Sequence, residues 1–127
     1  MRLFGPKSQK YGAIRVKRAG LSFASQGEAN LYEHLLWLER AGKIRAIRCQ
    51  VSVYLTKAKI LYKPDFSFVG VDTGELIYAE FKGFETPEWR IKRRLWMHYG
   101  PGRLQVFKGG GAALRLVEEI RGASDEG

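Results

Sequence analysis

A chain of 127 residues that is 45% hydrophobic and 13% aromatic is expected to be one domain, long enough to bury a core without disulfide or metal staples. Its 22 Lys and Arg against 13 Asp and Glu give a formal charge of +9 and a pI near 9.9, which points to a polyanionic partner, nucleic acid ahead of a membrane surface because no basic amphipathic helix with a clean apolar face stands out. The single cysteine, Cys49, excludes an intramolecular disulfide and a cysteine zinc cluster, and with no membrane-length apolar run and no signal-peptide stretch the expected location is the cytoplasm.

The chain opens on a basic segment. Arg2, Lys7, Lys10, Arg15, Lys17 and Arg18 fall within the first 20 residues and no acid accompanies them, so residues 1–20 are expected to be an arm, either contacting the polyanion or merely solvated. From Ser25 to about residue 41 the pattern is helical, with Leu31, Leu35 and Leu38 recurring at spacings of four and three and Gly42 supplying the stop. Carried back three residues, the same stripe lands on Glu28, a carboxylate on the face the leucines bury. Ser25 and Glu28 have the S-x-x-E spacing of a capping box, and an inward carboxylate beside a core also needs a partner, of which a metal ion is one kind.

After "AGKI" the period changes, and "IRAIRCQVSVYLT" and "KAKILYKPDFSFV" read as successive strands. Pro64 has no N–H for a ladder, so Asp65 is expected at a bend or edge. "VDTGEL" supplies a turn, and residues 75–83 form the next strand, with Leu76, Tyr78, Glu80 and Lys82 on one face and Ile77, Ala79 and Phe81 on the other. Thr86 and Pro87 start a helix that runs to about Tyr99, with Trp89, Ile91, Leu95 and Trp96 expected on its packed side. Arg90, Lys92, Arg93 and Arg94 crowd its first half, as phosphate contacts or as a solvated face. "RLQVFK" reads as a short strand, "GGGAALRLVEEIRG" as a glycine loop leading to a final helix, and residues 121–127 as a disordered tail. His34 and His98 lack an acid at ligand spacing and are expected as surface or packing residues, and the glycine run lacks the Gly-Lys-Ser/Thr of a phosphate loop.

The order is a helix bearing Glu28, strands, Asp65 after Pro64, fourteen intervening residues, Glu80-Phe81-Lys82, a basic helix, a strand and a helix. This resembles the PD-(D/E)XK nuclease superfamily. Outside the motif, "KYGAIRVKRAGLSFASQGEANLYEHL", the "AGKI" turn, Gln50 and "FKGFETPEWRIKRR" look like small phage-encoded endonucleases related to RecU-type Holliday-junction resolvases, over roughly residues 10–108. Glu80 stands where many relatives have aspartate. The resemblance implies an α/β fold with a restriction-endonuclease-like αβββαβ core, a mixed central sheet flanked by helices, over residues 21–120. It implies a metal-dependent endonuclease acting on junctions or other branched DNA, working as a homodimer in a bacterial host. The alternatives are a sequence-selective nicking or restriction-type nuclease and an inactive DNA-binding module.

By the same resemblance Asp65 and Glu80 ligate Mg²⁺ or Mn²⁺ together with the Phe81 carbonyl, Glu28 is the candidate ligand of a second ion, and Lys82 orients the attacking water. Hard oxygen donors suit these ions, which polarise a phosphate and acidify a bound water. Expected DNA contacts are Lys10, Arg15, Lys17, Arg18, Lys63, Arg90, Lys92, Arg93 and Arg94. Gln50 joins them by analogy with the relatives, its alternative being an ordinary polar residue at a strand end.

Overall fold

Ser25 opens the first helix with an extended backbone (φ −151°, ψ 162°) and a hydroxyl that accepts the Glu28 N–H at 3.0 Å, satisfying one of the donors a helix start leaves without intrahelical partners. In the computed structural model, which describes residues 15–18 and 20–123, this helix is α1, Gln26–Arg40. Leu31 and Leu35 are fully buried, and Gly42 at φ +78° provides the left-handed residue beyond its end. Glu28 completes the cap one residue further back than a capping box requires, accepting the Ala24 N–H at 3.0 Å.

Ahead of α1, β1 (Val16–Arg18) and β2 (Leu21–Phe23) form an antiparallel hairpin whose buried Phe23 lies against Tyr32 and Phe66. The basic segment thus joins the fold from Arg15 onward, and Lys10 lies outside the described residues.

Five strands make the central sheet: β3 (Ile44–Cys49), β6 (Phe66–Gly70), β7 (Leu76–Phe81), β8 (Arg103–Lys108) and β9 (Arg115–Arg121), in that spatial order. All neighbours are antiparallel except β7 and β8, which are parallel and joined by a crossover through α2 (Pro87–Tyr99). Between β3 and β6 the chain makes a separate two-stranded ribbon, β4 (Val53–Tyr54) with β5 (Leu61–Tyr62). The protein is therefore α/β, with a mixed five-stranded sheet between layers. Alternation divides the core. Phe66, Phe68, Ile77 and Ala79 face α1 with Leu31, Leu35 and Phe107, whereas Tyr78, Leu104, Val106 and Ile120 pack with Trp89 and Trp96 of α2 and with Val53, Leu55 and Tyr62 of the ribbon segment. Among the described residues no helix is long and apolar enough to cross a membrane.

Four expectations are corrected. The segment after the glycines is the edge strand β9, preceded only by a short 3-10 turn at Gly111–Ala113, and is not a helix. Leu116, Val117 and Ile120 have helical spacing, but only Ile120 becomes buried, and pairing with β8 from Arg103↔Arg121 to Lys108↔Arg115 gives this segment ladder hydrogen bonds that local preference could not foresee. β9 also carries order to Arg121, and the Gly122 N–H bonds the Gly102 carbonyl at 2.9 Å, so the chain is tied down past the point where a tail was expected. The two long strand segments are broken beyond the expected interruption at Pro64: the first at Gln50 (φ +54°), the second at a turn through Lys59 (φ +60°). Finally, Ile91 is 58% exposed, because Trp89 and Trp96 define the packed side of α2 and Ile91 points away from it.

Candidate functional site

The β6–β7 register does most of the assembly. Phe66 pairs with Ala79, which sets Asp65, just outside the strand, opposite Glu80. The Asp65 N–H donates to Glu80 Oε1 at 3.3 Å, and the Phe81 N–H donates to Asp65 Oδ2 at 2.8 Å. Pro64 ends the ladder at this point, and the Asp65 carbonyl accepts the Gln50 N–H at 2.8 Å, tying the end of β3 to the same place.

Glu80 is only 6% exposed, on the α2 side of β7. Its Oε1 also accepts the Tyr62 hydroxyl at 2.9 Å, and its Oε2 lies 3.2 Å from Lys82 Nζ. Lys82 follows the strand end, its N–H bonding the Phe107 carbonyl, and its ammonium sits 4.9 Å from the centre of the Trp89 ring. Phe81 turns to the other face, against Gly27 of α1, where an added Cβ would come within 1.9 Å of the ring. Any side chain there would push the ring, and with it the strand end, away from the helix.

Glu28 reaches the cluster from α1. It too is 6% exposed, and its second oxygen accepts Gln50 Nε2 at 2.8 Å. Gln50 holds a left-handed backbone that costs a non-glycine residue about 1 kcal/mol, so the turn that presents it is fixed by its surroundings.

Burial, then the charges of Glu80 and Glu28, push the Asp65 carboxyl up to about 8, against the Phe81 N–H and Lys82. Burial raises Glu80 as well, opposed by Lys82 and the Tyr62 hydroxyl. Tyr62 is raised by burial and then by Glu80, and the Cys49 thiol by burial and then by Glu28 and Asp65. Two neighbouring carboxyls held above their ordinary range lack enough positive charge around them, which is the environment a bound divalent cation relieves. Mg²⁺ needs only one or two carboxylates, taking other oxygens from water and phosphate. Asp65 and Glu80 meet that requirement; the described residues contain no group of three or more acid, histidine or cysteine side chains placed to hold a metal.

Sequence reasoning missed Tyr62, because its bond to Glu80 depends on how the β4–β5 ribbon folds over the sheet. Tyr62→Phe keeps the ring contacts with Trp89 and Trp96 but removes the donor from Glu80. Groups that orient metal ligands are worth about 10–100-fold in affinity. The variant is expected to bind Mg²⁺ at least about tenfold more weakly while staying folded, as read by calorimetric titration and circular dichroism. Unchanged affinity would reduce Tyr62 to a packing residue.

The expected DNA contacts are scattered. Arg15 bonds Ser22 through its side-chain and backbone oxygens, Arg18 pairs with Glu33 at 2.7 Å, and Lys17 and Lys63 are exposed. On α2, Arg90 pairs with Glu85 and Lys92 with Glu88, while Arg94 is exposed. Arg93 is also paired, its guanidinium engaging both Glu118 oxygens and joining α2 to β9. His34 packs on Phe107, as a packing histidine.

Residues 8–108 match the family described as "Protein of unknown function (DUF1064)". The chain belongs to the DUF1064 family. The DUF1064 match takes in Glu28, Gln50, Tyr62, Asp65, Glu80 and Lys82 and every element from β1 to β8, and leaves β9 outside. Comparison with curated proteins finds no match.

Proposed function

We propose that the protein is a divalent-metal-dependent DNA endonuclease of the PD-(D/E)XK type that hydrolyses phosphodiester bonds, with junctions or other branched DNA as its substrate. The observation that carries this reading is the β6–β7 register, which joins Asp65 and Glu80 through the Asp65 and Phe81 N–H groups and leaves Lys82 beside them. The order α1, β3, β6, β7, α2, β8, with its one parallel pair, agrees with the αβββαβ core expected of such enzymes.

Asp65, Glu80 and the Phe81 carbonyl would hold Mg²⁺ or Mn²⁺. When bound, the ion supplies positive charge to the phosphate oxygens and acidifies water at the site. The protein's own groups do the rest. Tyr62 and the Asp65 N–H fix Glu80. Lys82, held between Glu80 and the Trp89 ring, offsets negative charge that develops on the phosphate. The +9 charge draws DNA to the site. A protein this small has little surface for reading base edges over a long site, so shape is the expected basis of choice, and paired cuts across a junction call for two sites, hence a homodimer.

The test is cleavage of one labelled sequence presented as a four-way junction, a fork, single strands and a linear duplex, in Mg²⁺ and Mn²⁺ at fixed salt. Paired cuts near the branch point are expected. Equal cutting of the linear duplex at one sequence would shift the reading to a restriction-type enzyme, and tight binding without any cutting would shift it to an inactive binding module.

A further inference from the structure

Beside the acid cluster lies a cleft that the mechanism leaves unused. It has a volume of about 240 Å³ and is walled by Leu21, Ser22 and Phe23 of the hairpin on one side and by Cys49 and Gln50 at the end of β3 on the other. Glu28 and Arg15 also line it. Arg15 is held there by Ser22, through Nε to the hydroxyl at 2.8 Å and Nη2 to the carbonyl at 2.9 Å, while Nη1 has no partner among the described residues. Gln50 connects cleft and cluster, since its side chain bonds Glu28 and its N–H bonds the Asp65 carbonyl.

We propose that this cleft receives one unstacked nucleotide of the DNA strand, next to the phosphate at Asp65 and Glu80, with its base between Leu21, Phe23 and Gln50 and its phosphate on Arg15. The proposal rests on the nuclease reading of the adjoining site. The volume is that of about eight waters, enough for a single nucleobase. Apolar walls take the faces of a base, the Gln50 carboxamide oxygen can accept from its edge, and a fixed guanidinium suits a phosphate. A base inside a duplex must first be unstacked and unpaired, at a few kcal/mol, and that cost is least where it is already unpaired. The cleft therefore selects DNA with an unpaired nucleotide beside the cut, which is what a bulge or the single-stranded side of a fork offers.

Cys49 makes occupancy measurable, because it is the one cysteine of the chain, is exposed, and lines the cleft. Its alkylation by iodoacetamide is followed in Ca²⁺ with saturating duplex that carries one unpaired nucleotide, and with the fully paired duplex of the same sequence. The unpaired nucleotide is expected to slow the reaction at least about tenfold more than the paired duplex does. Equal protection by the two duplexes would overturn the proposal. A second arm fills the cleft with Leu21→Trp, at an exposed wall position. The cleavage-rate ratio of unpaired over paired substrate is expected to fall toward one, and an unaltered ratio would also overturn it. Alkylation needs no turnover, so the two readings fail separately: selective protection in a protein that cuts nothing would uphold the cleft and end the nuclease reading, whereas Asp65-dependent cutting with equal protection would end the cleft proposal alone.

Discussion

Asp65→Asn is expected to lower Mg²⁺-dependent cleavage by about 10³-fold or more while DNA binding, measured in Ca²⁺, stays within about threefold of wild type. The loss follows from removing one of the two carboxylates that face each other across β6 and β7. Binding is spared because its energy comes from cations spread over the surface, among them the exposed Lys17, Lys63 and Arg94. The substitution is also mild for the fold. An asparagine oxygen can still accept the Phe81 N–H, and burial with the charges of Glu80 and Glu28 already disfavours the ionised form of Asp65 without metal, so a neutral amide suits the same surroundings. Lost activity in a folded, DNA-binding variant would thus report on the site itself. Undiminished Mg²⁺-dependent cleavage would end the nuclease reading.

What the sequence made legible was local. Ser25 and Thr86 are N-caps with side chains bonded to Glu28 and Trp89, Pro87 sits at the first turn of α2, and the alternation of β7 separates Tyr78 and Glu80 from Ile77 and Ala79, all from signals within a few residues. The break at Asp65 was legible because Pro64 has no N–H to give. What escaped depends on partners far along the chain. Arg93 could not be separated from its basic neighbours until Glu118, 25 residues on, proved to be its partner. The β9 segment had a helical spacing that only the open edge of β8 overrides, and Tyr62 reads as one aromatic among several until the ribbon folds it onto Glu80. The pair Asp65 and Glu80 lies between these cases. Its spacing was visible, but its meaning rests on a turn of fixed length that brings position 65 opposite position 80.

The same pair sets how stability depends on pH. In the unfolded chain Asp65 titrates near 3.9, and in the folded, metal-free protein burial and the charges of Glu80 and Glu28 hold it up to about 8. Between those values the folded state binds more protons than the unfolded state, so stability falls as pH rises, by up to about 1.4 kcal/mol per pH unit for one proton. Glu80, also raised, contributes with the same sign. The metal-free protein is therefore expected to lose several degrees of melting temperature between pH 5 and pH 8, and Asp65→Asn to lose clearly less. Mg²⁺ acts in the opposite sense. It stabilises only by binding the folded state, and it needs the deprotonated carboxylates, so its effect is small at pH 5 and grows toward pH 8. Thermal melts of both proteins at pH 5, 6.5 and 8, in chelator and in Mg²⁺, provide the measurement. A melting temperature that climbs from pH 5 to pH 8 in chelator would remove the basis for a strained, buried acid pair. A Mg²⁺ shift of the same size at every pH, or one retained by Asp65→Asn, would place the ion somewhere other than Asp65 and Glu80.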